Sequence, residues 1–270
     1  MKLSQEQLTT YENDGLLLFP GFFEAEEVAA MQAETERLMT TDVPGLVFEQ
    51  DDKTVRALHG CHLYSDFFDR LVRHPRMLEL GRRLVDDDVY VHQFKINVKA
   101  AFGGDVWPWH QDYVFWLKED GMPTPRVTNL AIFLDEVNEF NGPLCLIPGS
   151  HRGGVVDVPP TGGAASAKQD DWTANFSAKL KYTLEQETIA EWVEDRGIVA
   201  PKGPAGSLLI FDSNMAHGSV PNISPFDRKL LIVTYNSVQN QPTFPGEPRP
   251  EYLVGHDFTP LQPVENHRLA

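Results

Sequence analysis

His110 and Asp112 stand two residues apart with Gln111 between them, and His217 follows about a hundred residues later. Two imidazoles and one carboxylate are the ligand types that a mononuclear non-haem iron(II) centre requires. Set on one face of an octahedron, they leave three positions open, which suits an iron that must bind a co-substrate and dioxygen together. A closed structural zinc site would need a fourth ligand. Residues two apart in a β-strand project from the same side, so the spacing predicts a strand that turns His110 and Asp112 toward one ion. The third ligand then comes from a distant strand, just before His217, and the interval leaves room for most of a β-barrel. His-x-Asp also occurs in solvated turns. Here, however, Trp107, Trp109, Tyr113, Phe115 and Trp116 place five aromatics within ten residues, as a lined pocket does and an open surface does not. An ordinary aromatic core strand would show the same density.

The elements that must position these residues are legible in outline. Ser4 with Gln7 forms a capping-box pattern that opens a helix ending near Gly15, and residues 16–19 read as a strand. From Glu24 to Met39 the positions Val28, Met31, Thr35 and Leu38 recur at helical spacing, with Glu24, Glu26 and Glu27 at the positive end of the dipole. Residues 66–85 give further helix, interrupted at Pro75. From Val89 the period changes to two: Phe94, Ile96 and Val98 fall on one face, Gln93, Lys95 and Asn97 on the other. That polar face suits either solvent or the inside of a barrel that holds polar ligands. Further strands are expected at 127–135, 144–147, 155–158, 207–212 and 229–237, and short strands between Gly and Pro turns indicate a barrel or jelly roll. Residues 159–179, rich in Gly, Ala, Ser and Asp, suit a long loop, either a lid or an idle excursion. The Pro-rich tail from Pro242 is expected to wrap the surface.

Composition excludes several classes. Asp and Glu outnumber Lys and Arg by 39 to 23, and a net charge of -16 argues against binding nucleic acid or an anionic membrane through bulk electrostatics. The first residues carry no basic start followed by an apolar run, and no uncharged stretch reaches the length of a membrane span, so a cytoplasmic protein is expected. Cys61 and Cys145 are too few for a disulfide scaffold and lack metal-ligand spacing. The other histidines, His59, His62, His74, His92, His151, His256 and His267, lie in no comparable constellation.

Trp109-His110-Gln111-Asp112, Asn141-Gly142-Pro143-Leu144, Pro148-Gly149-Ser150-His151, His217-Gly218-Ser219, Asn222 and Arg228 follow one another in an order that resembles the phytanoyl-CoA dioxygenase (PhyH) superfamily of iron(II)- and 2-oxoglutarate-dependent oxygenases. The resemblance runs from about Leu8 to about Ser237. It implies a mainly β fold with flanking helices (α+β): a double-stranded β-helix, or cupin-like jelly roll, with the iron near one end. The whole chain 1–270 would then be one dioxygenase domain, with helices in 4–85 buttressing a jelly-roll core at 89–238. Within the superfamily, Trp116 and Glu119-Asp120-Gly121-Met122-Pro123 resemble the ectoine hydroxylases and hydroxylases of free aliphatic amino acids.

Carried over residue by residue, the resemblance makes His110, Asp112 and His217 the iron ligands and Arg228 the grip on the distal carboxylate of 2-oxoglutarate. A planar guanidinium makes paired, charge-assisted bonds to a carboxylate, which suits that role. Lys95 and Asn97 match positions that help hold 2-oxoglutarate, Lys95 sharing the distal carboxylate with Arg228. Trp107 and Asn129 match further co-substrate positions. Gln93, Trp116 and Ile232 match substrate contacts; Ile232 stands where ectoine enzymes have an aromatic, and Asn129 replaces their usual hydroxyl residue, so ectoine itself is in doubt. Asp112 also separates the chain from the family's halogenases, which have a small residue there and leave the coordination position to halide.

The expectation is a hydroxylase of an unactivated C–H bond in a small zwitterion, a free, leucine-like aliphatic amino acid or related compound, using iron(II), 2-oxoglutarate and dioxygen. Ring closure and desaturation use the same ligands. Trp107, Trp116 and the loop near Trp172 are candidates for shielding the site from water. The alternatives are an oxygenase acting on a carrier-bound or larger natural-product intermediate and, in another class, a cupin-like metal-binding or sensing module without turnover. Nothing in the residues decides between monomer and homodimer.

Overall fold

Ser4 closes its capping box with Gln7 at the start of α1 (Gln5–Asp14), and Gly15 ends the helix with φ 76°, a conformation glycine adopts without strain. In this computed structural model, which describes residues 2–49, 51–160, 180–265 and 268–269, the chain continues through β1 (Leu16–Phe19) into α2 (Ala25–Met39). The buried residues of α2 are the expected Val28, Met31, Thr35 and Leu38. β2 (Leu46–Phe48) and β3 (Val55–His59), short and irregular in pattern, precede α3 (Cys61–Tyr64), α4 (Asp66–Val72) and α5 (Pro75–Val85). Pro75 takes the first position of α5, where its missing N–H costs nothing.

β4 (Val89–Lys99), β6 (Val127–Phe133), β8 (Leu208–Asp212) and β10 (Arg228–Ser237) form the centre of a seven-stranded antiparallel sheet, ordered β1-β8-β6-β10-β4-β3-β2. β5 (Trp107–His110), β7 (Leu144–Leu146) and β9 (His217–Ser219) make a second sheet, ordered β5-β9-β7. This is the expected jelly roll. Alternation along each strand of the large sheet divides its residues between two layers. Phe94, Ile96, Val98, Leu130, Ile132, Leu231, Val233 and Tyr235 pack with residues of α2, α4 and α5 in one core cluster. Ala131, Phe133, Leu209, Phe211, Leu230 and Ile232 pack with Leu144 and Leu146 of the second sheet in another. The inner face of β4 and β10 is therefore Gln93, Lys95, Asn97 and Lys99 set opposite Thr234, Ile232, Leu230 and Arg228.

Three expectations change. The strand carrying His110 stops there, and Asp112 opens a helical turn, α6 (Asp112–Phe115), that continues as a π-turn from Trp116 to Asp120. Residues 155–158 are not a strand: the Gln111 side chain accepts from Val156 N–H at 2.8 Å, and Val155, Val156 and Val158 pack on the aromatic cluster around Phe115 and Trp116. A helix, α7 (Gln186–Arg196), follows where none was expected; none of its residues is fully buried, and its short apolar stripe of Ile189, Trp192 and Val193 packs on the aromatic cluster around Phe115 and Trp116. The expected loop or lid at 159–179, with Trp172, lies almost wholly outside the described residues. No helix among the described residues is long and apolar enough to cross a membrane.

Candidate active site

β5 and β9 pair with His110 directly opposite His217, which brings the two imidazole rings to 4.2 Å between centroids. Gln111 between the ligands is extended (φ -112°, ψ 136°), so Asp112 still returns to the side that His110 faces even though the strand has ended. The ligand atoms of His110, Asp112 and His217 lie within 4.8 Å of one another, and all three residues are buried. Each histidine is oriented from behind. His110 Nδ1 meets the carbonyl of Pro108 at 2.7 Å, and His217 Nδ1 that of Met215 at 2.9 Å. Donation from Nδ1 leaves Nε2 with its lone pair toward the carboxylate, the tautomer a metal needs. Burial lowers the pKa of both rings, that of His110 to about 3, so both are neutral ligands at neutral pH.

The carboxylate is held from two sides. Lys95 Nζ lies 3.2 Å from Asp112 Oδ1, and Asn129 Nδ2 donates to Oδ2 at 2.9 Å. Thr234 donates to Asn129 Oδ1 at 2.7 Å and so fixes which end of that amide faces the carboxylate. Burial alone would raise the Asp112 pKa; Lys95 and the two imidazoles outweigh it and hold the group well below the usual carboxylate range. Gln111 braces the loop that leads to His217, its amide donating to Asn214 O at 2.6 Å and to Gly154 O at 2.9 Å.

A cavity opens beside the triad. Gln93, Lys95, Asn97, Trp107, Trp116, Arg228 and Ile232 line it, as do the three candidate ligands. Of the residues singled out from sequence only Asn129 does not, because it stands behind Asp112. Four lining residues carry a buried polar atom without a hydrogen-bond partner among the described residues: Asn97 Oδ1, Trp107 Nε1, Ser219 Oγ and Arg228 Nε. Buried polar groups are ordinarily paired, so this concentration marks where a polar ligand belongs. Arg228 is 2% exposed, and its Nη2 donates to the Gly142 carbonyl. Burial pulls the guanidinium down to about 10, still cationic at neutral pH. These groups fit a dicarboxylic 2-oxo acid: a guanidinium whose Nε is unengaged for the distal carboxylate, and a metal face for the 2-oxo acid end.

The cavity has a second guanidinium that sequence reasoning missed. Arg249 comes from the Pro-rich tail, which does not merely wrap the surface. Its Nε and Nη2 donate to Asp120 at 2.8 and 2.7 Å, and it lines the cavity on the side of Trp116. Asp120 is fully buried; burial raises its pKa, and Arg249 opposes that. Against its own burial, Arg249 is held more firmly protonated by Asp120. The tail also supplies Leu253, whose carbonyl accepts from Gln93 Nε2 at 3.0 Å. That bond leaves the Gln93 amide oxygen as the acceptor this side chain has to offer.

Comparison with known proteins accounts for this arrangement. Residues 11–230 match the phytanoyl-CoA dioxygenase (PhyH) family. The chain is 40% identical over 259 residues to the L-proline trans-4-hydroxylase of Streptomyces griseoviridis, covering 96% of this chain and 95% of that one. It is 37% identical over 278 residues to the ectoine dioxygenase of Bordetella bronchiseptica, covering 99% and 88%. The structure of EctD from S. alaskensis with 2-oxoglutarate and 5-hydroxyectoine superposes with a TM-score of 0.83 at 31% identity, covering 99% of this chain and 89% of that one. EctD with bound Fe gives 0.82. With that fold and that kinship along nearly its whole length, the chain belongs to the phytanoyl-CoA dioxygenase family and is an iron(II)- and 2-oxoglutarate-dependent dioxygenase.

Proposed function

We propose that the chain hydroxylates an unactivated C–H bond of a small free amino acid, of the cyclic proline type, with His110, Asp112 and His217 as the iron ligands. The observation that carries this reading is the division of the cavity between two guanidiniums, buried Arg228 at one end and the largely covered Arg249, 12% exposed, at the other. Arg228 takes the distal carboxylate of 2-oxoglutarate, with Ser219 Oγ and Asn97 as polar neighbours. Lys95, engaged with Asp112, tunes the metal carboxylate rather than the distal end. Arg249, with two donors fixed on Asp120, offers its remaining N–H groups to the carboxylate of the substrate. The Gln93 oxygen and the face of Trp116 suit an ammonium, and Ile232 and Leu230 give an aliphatic surface. Iron held by these ligands would let dioxygen act as the oxidant, one oxygen atom entering the substrate as C–OH and the other entering succinate as 2-oxoglutarate loses carbon dioxide. The protein's part is to hold one carbon near the metal and exclude water. Its similarity to a proline hydroxylase along 95% of that chain supports a ring-sized substrate, and Ile232 in place of an aromatic supports one other than ectoine.

The test is incubation of the iron-loaded protein with 2-oxoglutarate and a pool holding proline, its ring homologues, leucine and ectoine, followed by mass spectrometry for a gain of one oxygen. Reaction of carrier-tethered or large substrates alone would remove the free-amino-acid reading. Absence of succinate formation with every substrate would remove the iron-ligand assignment.

A further inference from the structure

Lys99 and Arg228 stand directly opposite one another in the β4–β10 ladder, on the inner face at the Arg228 end of the cavity. They are 0% and 2% exposed. Like charges opposed across a ladder destabilise it, and a buried pair lacks the solvent that would screen them. Arg56, from β3, adds a third cation, although Glu49 at the end of β2 neutralises it at 3.0 Å. Lys99 has no ion pair among the described residues. Its Nζ donates to the carbonyls of Asp105 and Val220, the latter at 2.9 Å. Two carbonyls satisfy both N–H bonds of a neutral amine, whereas an ammonium has a third N–H to place.

The charged and titratable groups that bear on Lys99 come from each neighbouring element. They are Arg228, Arg56, Glu49, the Asp105 carboxylate of the β4–β5 loop, and the Cys145 thiol of β7, which burial keeps protonated. Burial first, then Arg228 and Arg56, push the Lys99 ammonium down to about 6, with Glu49 and Asp105 opposing.

We infer that Lys99 is a proton-linked partner of the co-substrate: a neutral amine until the distal carboxylate of 2-oxoglutarate reaches Arg228, and an ammonium, with one proton taken from solvent, once it does. This rests on the assignment of Arg228 to that carboxylate. The carboxylate favours the charged form, so binding raises the Lys99 pKa. Affinity for 2-oxoglutarate therefore strengthens, by up to about tenfold per pH unit, as pH falls from the alkaline side toward 6. It levels off below, where Lys99 is protonated in both states.

The test is anaerobic calorimetry of the iron(II)-loaded protein at pH 7.5 in buffers of different ionisation enthalpy. 2-Oxoglutarate should take up about one proton more than 2-oxovalerate, which offers the same 2-oxo acid end without the distal carboxylate. Exchange at the metal contributes equally to both and cancels. Lys99→Met should abolish the difference and flatten the pH dependence, and the wild-type comparison stands alone if that variant does not fold. Equal proton counts for tightly bound 2-oxoglutarate and weakly bound 2-oxovalerate would overturn the role of Lys99 alone. Equal affinities of the two acids would instead overturn the assignment of Arg228.

Discussion

Asp112 meets an ammonium on one oxygen and an amide on the other, and Thr234 locks that amide's orientation. Replacing Asn129 by Asp would set a second carboxylate against the first. We expect iron(II) affinity to fall about 10–100-fold, as for lost outer partners of metal ligands, measured by anaerobic titration; an unchanged affinity would show that Asn129 does not act on the metal. Arg228→Ala should raise KM for 2-oxoglutarate by at least about tenfold and leave the amino-acid affinity nearly unchanged. Arg249→Lys should do the reverse, raising KM for the amino acid and increasing the succinate formed per hydroxylated product. Equal effects of both variants on both KM values would contradict the division of the cavity. The triad was legible because five aromatics crowd the common His-x-Asp pair and because further motifs follow it in the family's order. Arg249 was not, since an arginine in a Pro-rich tail carries no pattern, and only its pairing with the buried Asp120 makes it part of the site.

At the scale of elements, β4 was readable because its period of two assigns Gln93, Lys95 and Asn97 to one face, and because a sheet covered on both sides makes that face a lumen. β2 and β3 escaped notice: β2 has three residues, their pairing contains a bulge, and neither alternates cleanly. The short helical turn after His110 was equally silent, since Asp112, Tyr113, Val114 and Phe115 are all buried and show no periodic stripe. Its π-turn ends at Gly121, with φ +68°, and a Cβ there would meet Thr243 and Pro245. Gly121→Ala should cost roughly 1–2 kcal/mol in the left-handed backbone, lowering Tm by about 2–6 °C. It should also displace the tail, which docks through Thr243 N–H on Gly121 O and Phe244 N–H on Asp120 O. Calorimetric melting alongside KM for the amino acid checks both; a lowered Tm with KM unaltered would mean that this contact does not seat Arg249.

For the whole molecule, the metal site joins two parts of the chain a hundred residues apart, so ligands that bind only the folded state stabilise all of it. Iron(II) and 2-oxoglutarate, each at about a hundredfold its Kd, should add about 2.7 kcal/mol apiece, and a chelator should remove the metal's share. A melting temperature indifferent to iron would contradict a preformed triad. The jelly roll and its N-terminal helices followed from the sequence because a helical period fills the first part of the chain and a strand period replaces it from Val89. The closing of the cavity did not, because it depends on which late segment returns to the barrel.

That late segment has an evolutionary consequence. The proposed iron ligands and Arg228 belong to barrel strands and their edges, while Arg249 and the Leu253 carbonyl belong to residues 242–254, laid over the barrel last. On the proposed division of the cavity, recognition of the amino acid is partly separable from the oxidative machinery, and a lineage could exchange its tail without rebuilding its engine. A chimaera carrying the corresponding tail of an ectoine dioxygenase should keep its affinity for 2-oxoglutarate and change the order in which it prefers amino acids.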